Sequence, residues 1–490
     1  MPIPIDRRAF LKLGASAASA HWASQHVWSF VPRPLPQAAP AKRILIIGAG
    51  LAGLVAGYEL TQAGHDVIIL EATLRPGGHV LTLREPFSDG LYADAGAARI
   101  PDNHDLTLHY VQQFGLTLVP FYPANLTKIT LIGGKRIPTP AGQQLDLSQV
   151  PLSLTPEERQ LGLSGLVVKY LGAALSAIGD PGTPDWPPGP AKSYDQITMA
   201  EFLREQGASA GAIELLEWPY ATAEDDRASL LWILRETLYE SHEKTRYKIT
   251  GGTDLLPRAF ASKLQDKIQY GSPVVRIEQD PSKVRVITTQ SGTHHMFEAD
   301  HLICAIPFPP LRRVEIRPAF SAAKRKAIAE LAYDSATRVI LQCRTRFWEK
   351  EKANGFGMSD LPQEIWHPTF DQPGTRGLLA SYLFSGVARR TGAMAHDQRL
   401  EFIAHELEKV YPGLLDNLEG GVAQVWDADQ WEGGAYALPS PGQMMAICAG
   451  IDRPEGRVHF AGDHTSRWPG WMQGALQSGL RAAQEVNGDR

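Results

Sequence analysis

Two stretches of this 490-residue chain carry residue types at spacings that do chemistry. In RILIIGAGLAGLVAGYELTQAGHDVIILEA, residues 43–72, Gly48, Gly50 and Gly53 form GxGxxG, and Glu71 follows 23 positions after Gly48. Gly48 permits a tight turn, Gly50 lets backbone approach a pyrophosphate, and Gly53 lets a helix pack closely on a strand. A helix opening at Leu51 and Ala52 turns unbonded N–H groups toward phosphate. Glu71, followed by Ala72, accepts hydrogen bonds from ribose hydroxyls. This is the chemistry of holding a dinucleotide. In GLYADAGAARIP, residues 90–101, Asp94 precedes Ala95, Gly96, Ala97 and Ala98, and then comes Arg99. Side chains this small let a flat ligand lie against the backbone. An arginine at the edge of such a place grips a carboxylate through a two-pronged, charge-assisted pair.

The elements that must position these residues follow from the pattern. ILII reads as a buried parallel strand, Leu51 to Ala63 has helical apolar spacing stopped by Gly64, and HDVIILEA reads as a second strand ending in Glu71. GSPVVRIEQDPSKVRVITTQSG alternates apolar and polar residues, so it reads as paired strands. ADHLICAIP and VHFAGD read as further buried strands, and GALQSGLRAAQEV as a helix. YDSATRVILQCRTRFWE alternates Arg338, Ile340 and Gln342 with Val339, Leu341 and Cys343, a strand entering the core. An arginine there needs a polar partner, because an unpaired buried charge costs several kcal/mol. The middle of the chain reads as helices around a proline-rich loop, DPGTPDWPPGPAK, with an acidic run at Glu224, Asp225 and Asp226.

Composition limits the function classes. The length suggests roughly three domains, or two with insertions. A net charge of −5 without a long basic run excludes nucleic acid as the main partner. Three cysteines, Cys304, Cys343 and Cys448, form no CxxC pair and read as buried small hydrophobes rather than a disulfide framework. The fifteen histidines show no HExxH or similar spacing, so no metal is expected. DRRAFLKLGASAASA, with Arg7 and Arg8 ahead of a short apolar run, looks like a twin-arginine export signal. The expected location is periplasmic or secreted, with no membrane anchor in the mature form.

With these motifs on the page, the chain resembles the flavin-dependent amine oxidase superfamily. Its pattern runs from Glu71 into R-x-G-G-R, here LRPGGHVLT with Arg75, Gly77 and Gly78; His79 replaces the second arginine, and Arg84 stands five residues on as partial compensation. The resemblance implies a non-covalent FAD, since no Cys or His sits in a family attachment motif. It puts Gly462 and Asp463 near the ribityl–phosphate, Trp471, Met472 and Ala475 beside the isoalloxazine, and the Val275 backbone against adenine. The implied fold is α/β: a discontinuous Rossmann-like FAD-binding domain (41–100, 245–318, 431–490), a mixed-sheet substrate domain (101–124, 319–430) and a helical insertion (125–244), after a signal and linker at 1–40.

Within the superfamily the chain is most like the L-amino-acid oxidases. There the stretch matching Gly96, Ala97 and Ala98 passes beside the flavin, and the arginine matching Arg99 binds the amino-acid carboxylate. Tyr382, in LLASYLFSG, shares that carboxylate, while Gly434, Ala435 and Trp471 lie near the reacting carbon. Arg338 matches a lysine that holds a water beside the flavin, so Arg338 and Trp471 are the expected catalytic residues; a purely structural Arg338 stays open. The implied reaction is oxidation of an L-amino acid by oxygen to a 2-oxo acid, ammonia and hydrogen peroxide. A monoamine or polyamine oxidase, an amino-acid 2-monooxygenase and a non-catalytic flavoprotein remain as alternatives. A homodimer is among the assemblies expected.

Overall fold

The computed structural model describes residues 34–489 except residues 39, 125–126, 184, 218–226 and 362–363. The twin-arginine stretch and the run Glu224 to Asp226 lie outside the described residues.

The GxGxxG unit sits in a five-stranded parallel sheet. Its spatial order is Ile268–Gln269, Asp66–Leu70, Arg43–Ile47, His301–Cys304 and Val458–Phe460. A parallel sheet is covered on both faces, so its strands are apolar throughout. Alternate residues serve the two sides. Ile44, Ile46 and Ile303 pack under helices Leu51–Gln62 and Met472–Gly488, while Leu45, Ile47, Leu302 and Cys304 pack against a four-stranded sheet that includes Val274–Gln279 and Val284–Gln290. Close approach depends on missing side chains. A Cβ on Gly53 would lie 2.0 Å from the Gly48 carbonyl oxygen, and one on Gly479 would lie 2.2 Å from that of Ala52.

The second layer is a seven-stranded mixed sheet: Leu418–Val425, Ala336–Cys343, Gly377–Phe384, Glu364–Trp366, Ala353–Ser359, Thr127–Ile132 and Lys135–Thr139. Val339, Leu341 and Cys343 pack with helix His396–Val410 on one face. Ile340, Leu378 and Ala380 meet Phe87, Ala95 and Ala98 on the other. Register aligns Gln424, Arg338, Tyr382 and Glu364 as direct neighbours across four strands, which puts their side chains on one face.

Two sequence expectations need correction. Helices of the middle segment begin only at Pro156; Thr127–Ile132 and Lys135–Thr139 form a hairpin of the seven-stranded sheet. Its turn, Gly133 and Gly134 at φ 54° and 73°, is the two-residue glycine turn that hairpins favour. Val275, in the stretch read as regularly alternating paired strands, is the extra residue of a bulge, since Val274 pairs with Thr288 and Arg276 already with Ile287. The helices Pro156–Ala177, Met199–Glu205, Ala210–Glu217 and Leu230–Ser241 form their own core. The first two open on capping boxes, Thr155 with Glu158 and Thr198 with Glu201. Among the described residues no helix is long and apolar enough to cross a membrane.

The two glycine contacts predict unequal mutants. Gly479→Ala forces helix Met472–Gly488 off helix Leu51–Gln62 and should cost about 1–3 kcal/mol, the usual range for overpacking. Gly172→Ala, whose new methyl meets only Val168 at 4.0 Å, should be neutral or stabilising by about 0.5–1 kcal/mol. Urea-unfolding midpoints check both; equal effects would remove the packing argument.

Candidate active site

A cavity of ≈ 360 Å³ lies between the two sheets. At one end are the turn Gly48 and Gly50, then Leu51, Ala52, Glu71, Ala72, Arg75, Gly78 and His79. Gly462, Asp463, Trp471, Met472 and Ala475 join them from the C-terminal segment. Gly96, Ala97, Ala98, Arg99, Arg338, Tyr382, Gly434 and Ala435 line the rest. Two expected residues are not on the wall. Gly53 lies behind the turn, where it only makes room for Gly48. Val274 and Ser272 border the cavity in place of Val275.

The dinucleotide end has the donors an anion needs. Helix Leu51–Gln62 begins at Gly50 and helix Met472–Gly488 at Trp471; neither start is capped by a side chain, and neither first turn carries an acid. A Cβ on Gly50 would meet nothing within 4 Å, so the space over that turn is open. Glu71 is buried and accepts from the Ala49 N–H at 2.7 Å and from Thr73, which fixes its carboxylate beside the turn. Two uncapped helix starts, an open glycine turn and a fixed acid fit the phosphates and ribose of FAD.

Arg75 braces the loop by donating to the Gly78 carbonyl at 2.8 Å. His79 stacks on Trp426, ring centroids 3.7 Å apart, with Nδ1 3.6 Å from Glu432. Arg84 does not compensate for His79. It grips both carboxylate oxygens of Asp254, at 2.9 and 3.0 Å, and the Gly251 carbonyl, away from the cavity.

Between the ends runs the small-residue stretch. Its N–H groups at Ala95 and Gly96 donate to the Leu81 carbonyl, and that of Ala97 to His79. Its carbonyls are taken by side chains: Asp94 and Gly96 by Arg338 Nη1 at 2.8 and 2.7 Å, Ala95 by Trp426 Nε1 at 3.0 Å, and Ala97 by Thr253 Oγ1 at 2.7 Å. Arg338 is thus buried without an acidic hydrogen-bond partner among the described residues, between the rings of Trp366 and Tyr382 at 4.3 and 4.0 Å. Burial lowers its guanidinium from the ordinary value, against Tyr382, and its Nε has no partner among the described residues.

Arg99 differs. Its Nη1 donates to Glu364 at 3.2 and 3.4 Å, and among the described residues Nε and Nη2 have no hydrogen-bond partner. Glu364 also accepts from Trp366 Nε1 at 2.7 Å. Burial raises the Tyr382 phenol above its ordinary value, against Arg338 and Arg99, so the hydroxyl keeps a proton to donate. Helix Leu230–Ser241 adds Trp232, Glu236 and Glu240 at four-residue spacing, and Glu236 accepts from Trp471 Nε1 at 3.3 Å. Sequence reasoning missed Glu364, Trp366, Trp426 and Glu236. Glu364 could have been found only through strand register, which aligns it with Tyr382. Beside Asp463, Ser466 donates to the Asp463 carbonyl and His464 lies against the Phe308 ring.

A Cβ on Gly96 would lie 1.9 Å from the His79 carbonyl oxygen. Gly96→Ala should therefore displace the run and cut the flavin bound per chain by at least half. Acid precipitation, which should free all the flavin of the wild type, supplies the count. Full flavin content in the variant would mean the run adjusts freely, and colour left in the wild-type pellet would mean a covalent link.

The comparisons agree with this geometry. The model for flavin containing amine oxidoreductases matches residues 51–487. "Putative L-amino-acid oxidase YobN" of Bacillus subtilis (strain 168) is 35% identical over 460 residues, 91% of this chain and 95% of that one. The L-amino-acid oxidase of Siganus canaliculatus is 30% identical over 468 residues, 92% of this chain and 86% of its own. In fold, the chain is similar to putrescine oxidase (TM-score 0.77, 20% identity, 91% of this chain and 99% of that one) and to cyclohexylamine oxidase from Brevibacterium oxydans IH-35A (TM-score 0.76, 22%, with the same coverage). The chain belongs to the flavin-containing amine oxidoreductase family.

Proposed function

We propose that the protein oxidises L-amino acids to 2-oxo acids, releasing ammonia and hydrogen peroxide. The observation that carries this is the difference between the two cavity arginines. Arg338 makes its two hydrogen bonds to backbone carbonyls through Nη1, whereas Arg99 bonds an acid, Glu364, through Nη1, and among the described residues its Nε and Nη2 and the Tyr382 hydroxyl of the same cavity have no hydrogen-bond partner. Two guanidinium donors and one hydroxyl suit a carboxylate. Bound FAD supplies the two-electron acceptor for the Cα hydrogen and hands the electrons to oxygen.

The chain's own work is orientation and exclusion of water. Arg99 and Tyr382 fix the carboxylate, so the Cα–H direction is set by where the small run leaves room. Trp471, Tyr436 and Trp366 wall the pocket, and the Trp471–Glu236 bond keeps that ring in place. The substrate amine must reach the pocket unprotonated, and the imine it becomes is hydrolysed by water.

Glu364 supports a second reading, an amine oxidase, in which the acid takes an amine and Arg99 only holds the acid. Arg99→Ala separates the two. Losing a charge-assisted partner to a buried carboxylate costs roughly 2–5 kcal/mol. For the amino-acid reading, kcat/KM across twenty L-amino acids should fall at least about 30-fold, with simple amines much less affected. A rise in amine turnover, with amino acids unused by either form, would favour the second reading.

Arg338 keeps a permanent charge beside the reacting zone, and that charge favours electron transfer to oxygen. Arg338→Met should slow flavin reoxidation in stopped flow more than anaerobic reduction by substrate, and Arg338→Lys should recover part of it. Unchanged half-reactions with lowered thermal stability would leave Arg338 only its hold on Asp94 and Gly96.

A further inference from the structure

We propose a divalent transition-metal site, of the zinc type, at the end of the parallel sheet remote from the cavity, formed by His301, His459 and Asp489. Among the described residues these are the one group of three whose ligand atoms come within 4.8 Å of one another. None of them lines the cavity.

Topology brings them together from distant points of the chain. His301 opens strand His301–Cys304, and His459 lies in the neighbouring strand Val458–Phe460, where it pairs with Ile303. Residues 301 and 303 share a face, so both imidazoles lie on the side covered by helix Met472–Gly488. Asp489 caps the far end of that helix. Nε2 of His301 is 3.7 Å from an Asp489 carboxylate oxygen. Two ligands of one tetrahedral zinc, each 2.0–2.1 Å from the ion, are about 3.4 Å apart.

The second observation is the state of the imidazoles. Both are about nineteen-twentieths buried, yet among the described residues His459 Nε2 has no hydrogen-bond partner. Leaving such groups unmet is costly. His459 is also oriented from behind: its Nδ1 lies 2.9 Å from Glu485, which itself accepts from Arg481 at 3.1 Å. A carboxylate on one imidazole nitrogen with the other left bare is the arrangement metal-binding histidines have. Lys42 donates to the carbonyls of Val486 and Asp489, holding the same segment. Its charge opposes a second cation nearby, and the carboxylates of Asp489 and Glu485 offset it. Two imidazoles and one carboxylate select zinc or its neighbours over magnesium or calcium. The fourth position falls to water on the exposed Asp489 side.

Such an ion would clasp the last turn of the helix whose first turn faces the flavin cavity, a structural staple with no part in turnover. The test is titration of FAD-loaded, chelator-stripped protein with Zn²⁺ by calorimetry, alongside thermal unfolding. The expected result is one Zn²⁺ per chain and a higher midpoint, with no effect of Mg²⁺ or Ca²⁺. Asp489→Ala, an exposed change that should leave flavin content intact, should weaken binding at least tenfold. Glu485→Gln should weaken it about 10–100-fold. No stoichiometric binding by the wild type, or wild-type affinity in both Asp489→Ala and His301→Gln, would overturn the site.

Discussion

The four consecutive carbonyls of Asp94 to Ala97 are the constraint on which the rest of the molecule hangs. Each is claimed by a side chain from elsewhere: Arg338 from the seven-stranded sheet, Trp426 from just beyond its edge strand, and Thr253 from the loop before helix Leu255–Leu264. The N–H groups of Ala95 to Ala97 are spoken for by Leu81 and His79. A segment satisfied on both edges needs no partner from a ligand, so it can serve as a plain wall. It also locks the two sheets together, since Arg338 cannot leave the run without exposing its charge to a wall of aromatic rings. Small side chains alone do not make such a wall; unspent backbone polarity would draw water or bend the chain.

That arrangement divides the labour between two arginines of like charge in one cavity. Arg338 reaches the run and is anchored there through Nη1. Arg99 follows the run in sequence and comes out over the Trp366 ring, where Glu364 is its hydrogen-bond partner among the described residues. The strand row Arg338, Tyr382, Glu364 sets both outcomes at once, because register fixes which side chains share a face. A slip of one residue in strand Gly377–Phe384 would turn Tyr382 toward helix His396–Val410 and separate the arginines from their aromatic partners.

Local features were legible in the sequence, and long-range ones were not. Gly48, Gly50, Gly53 and Glu71 fall within one strand–turn–helix–strand unit, whose chemistry depends on spacing alone, and the strand at Arg338 announced its burial by its alternation. What escaped needed a partner hundreds of residues away. Nothing near Glu364 foretells Arg99, and nothing near Trp426 foretells the Ala95 carbonyl. Arg84 looked free because its acid, Asp254, lies on a distant helix start. The bulge at Val275 was hidden for another reason: it shifts a strand by one without changing its composition. The hairpin at residues 127–139 did carry a signal, paired glycines between alternating runs, but the helical segment after it outweighed that signal.

Charge in the cavity bears on which substrates it suits. Arg99 and Arg338 bring two positive charges to this row and Glu364 one negative, so the row itself carries one positive charge among aromatic rings, while Glu236, Glu240 and Arg246 line the part of the cavity toward Trp471. Burial makes such an excess expensive. A ligand carboxylate cancels it; a bare amine adds nothing negative, and a protonated one makes it worse. On the amino-acid reading, Glu364 is then the group that keeps Arg99 tolerable before a ligand arrives, while the single bonded nitrogen, Nη1, leaves the other two donors for the incoming carboxylate. Were Glu364 to hold Arg99 through both of its outer nitrogens, the cavity would be more stable empty and poorer at capturing an acid. On that reading, the one-nitrogen contact is the compromise that a carboxylate-binding pocket between two buried arginines requires.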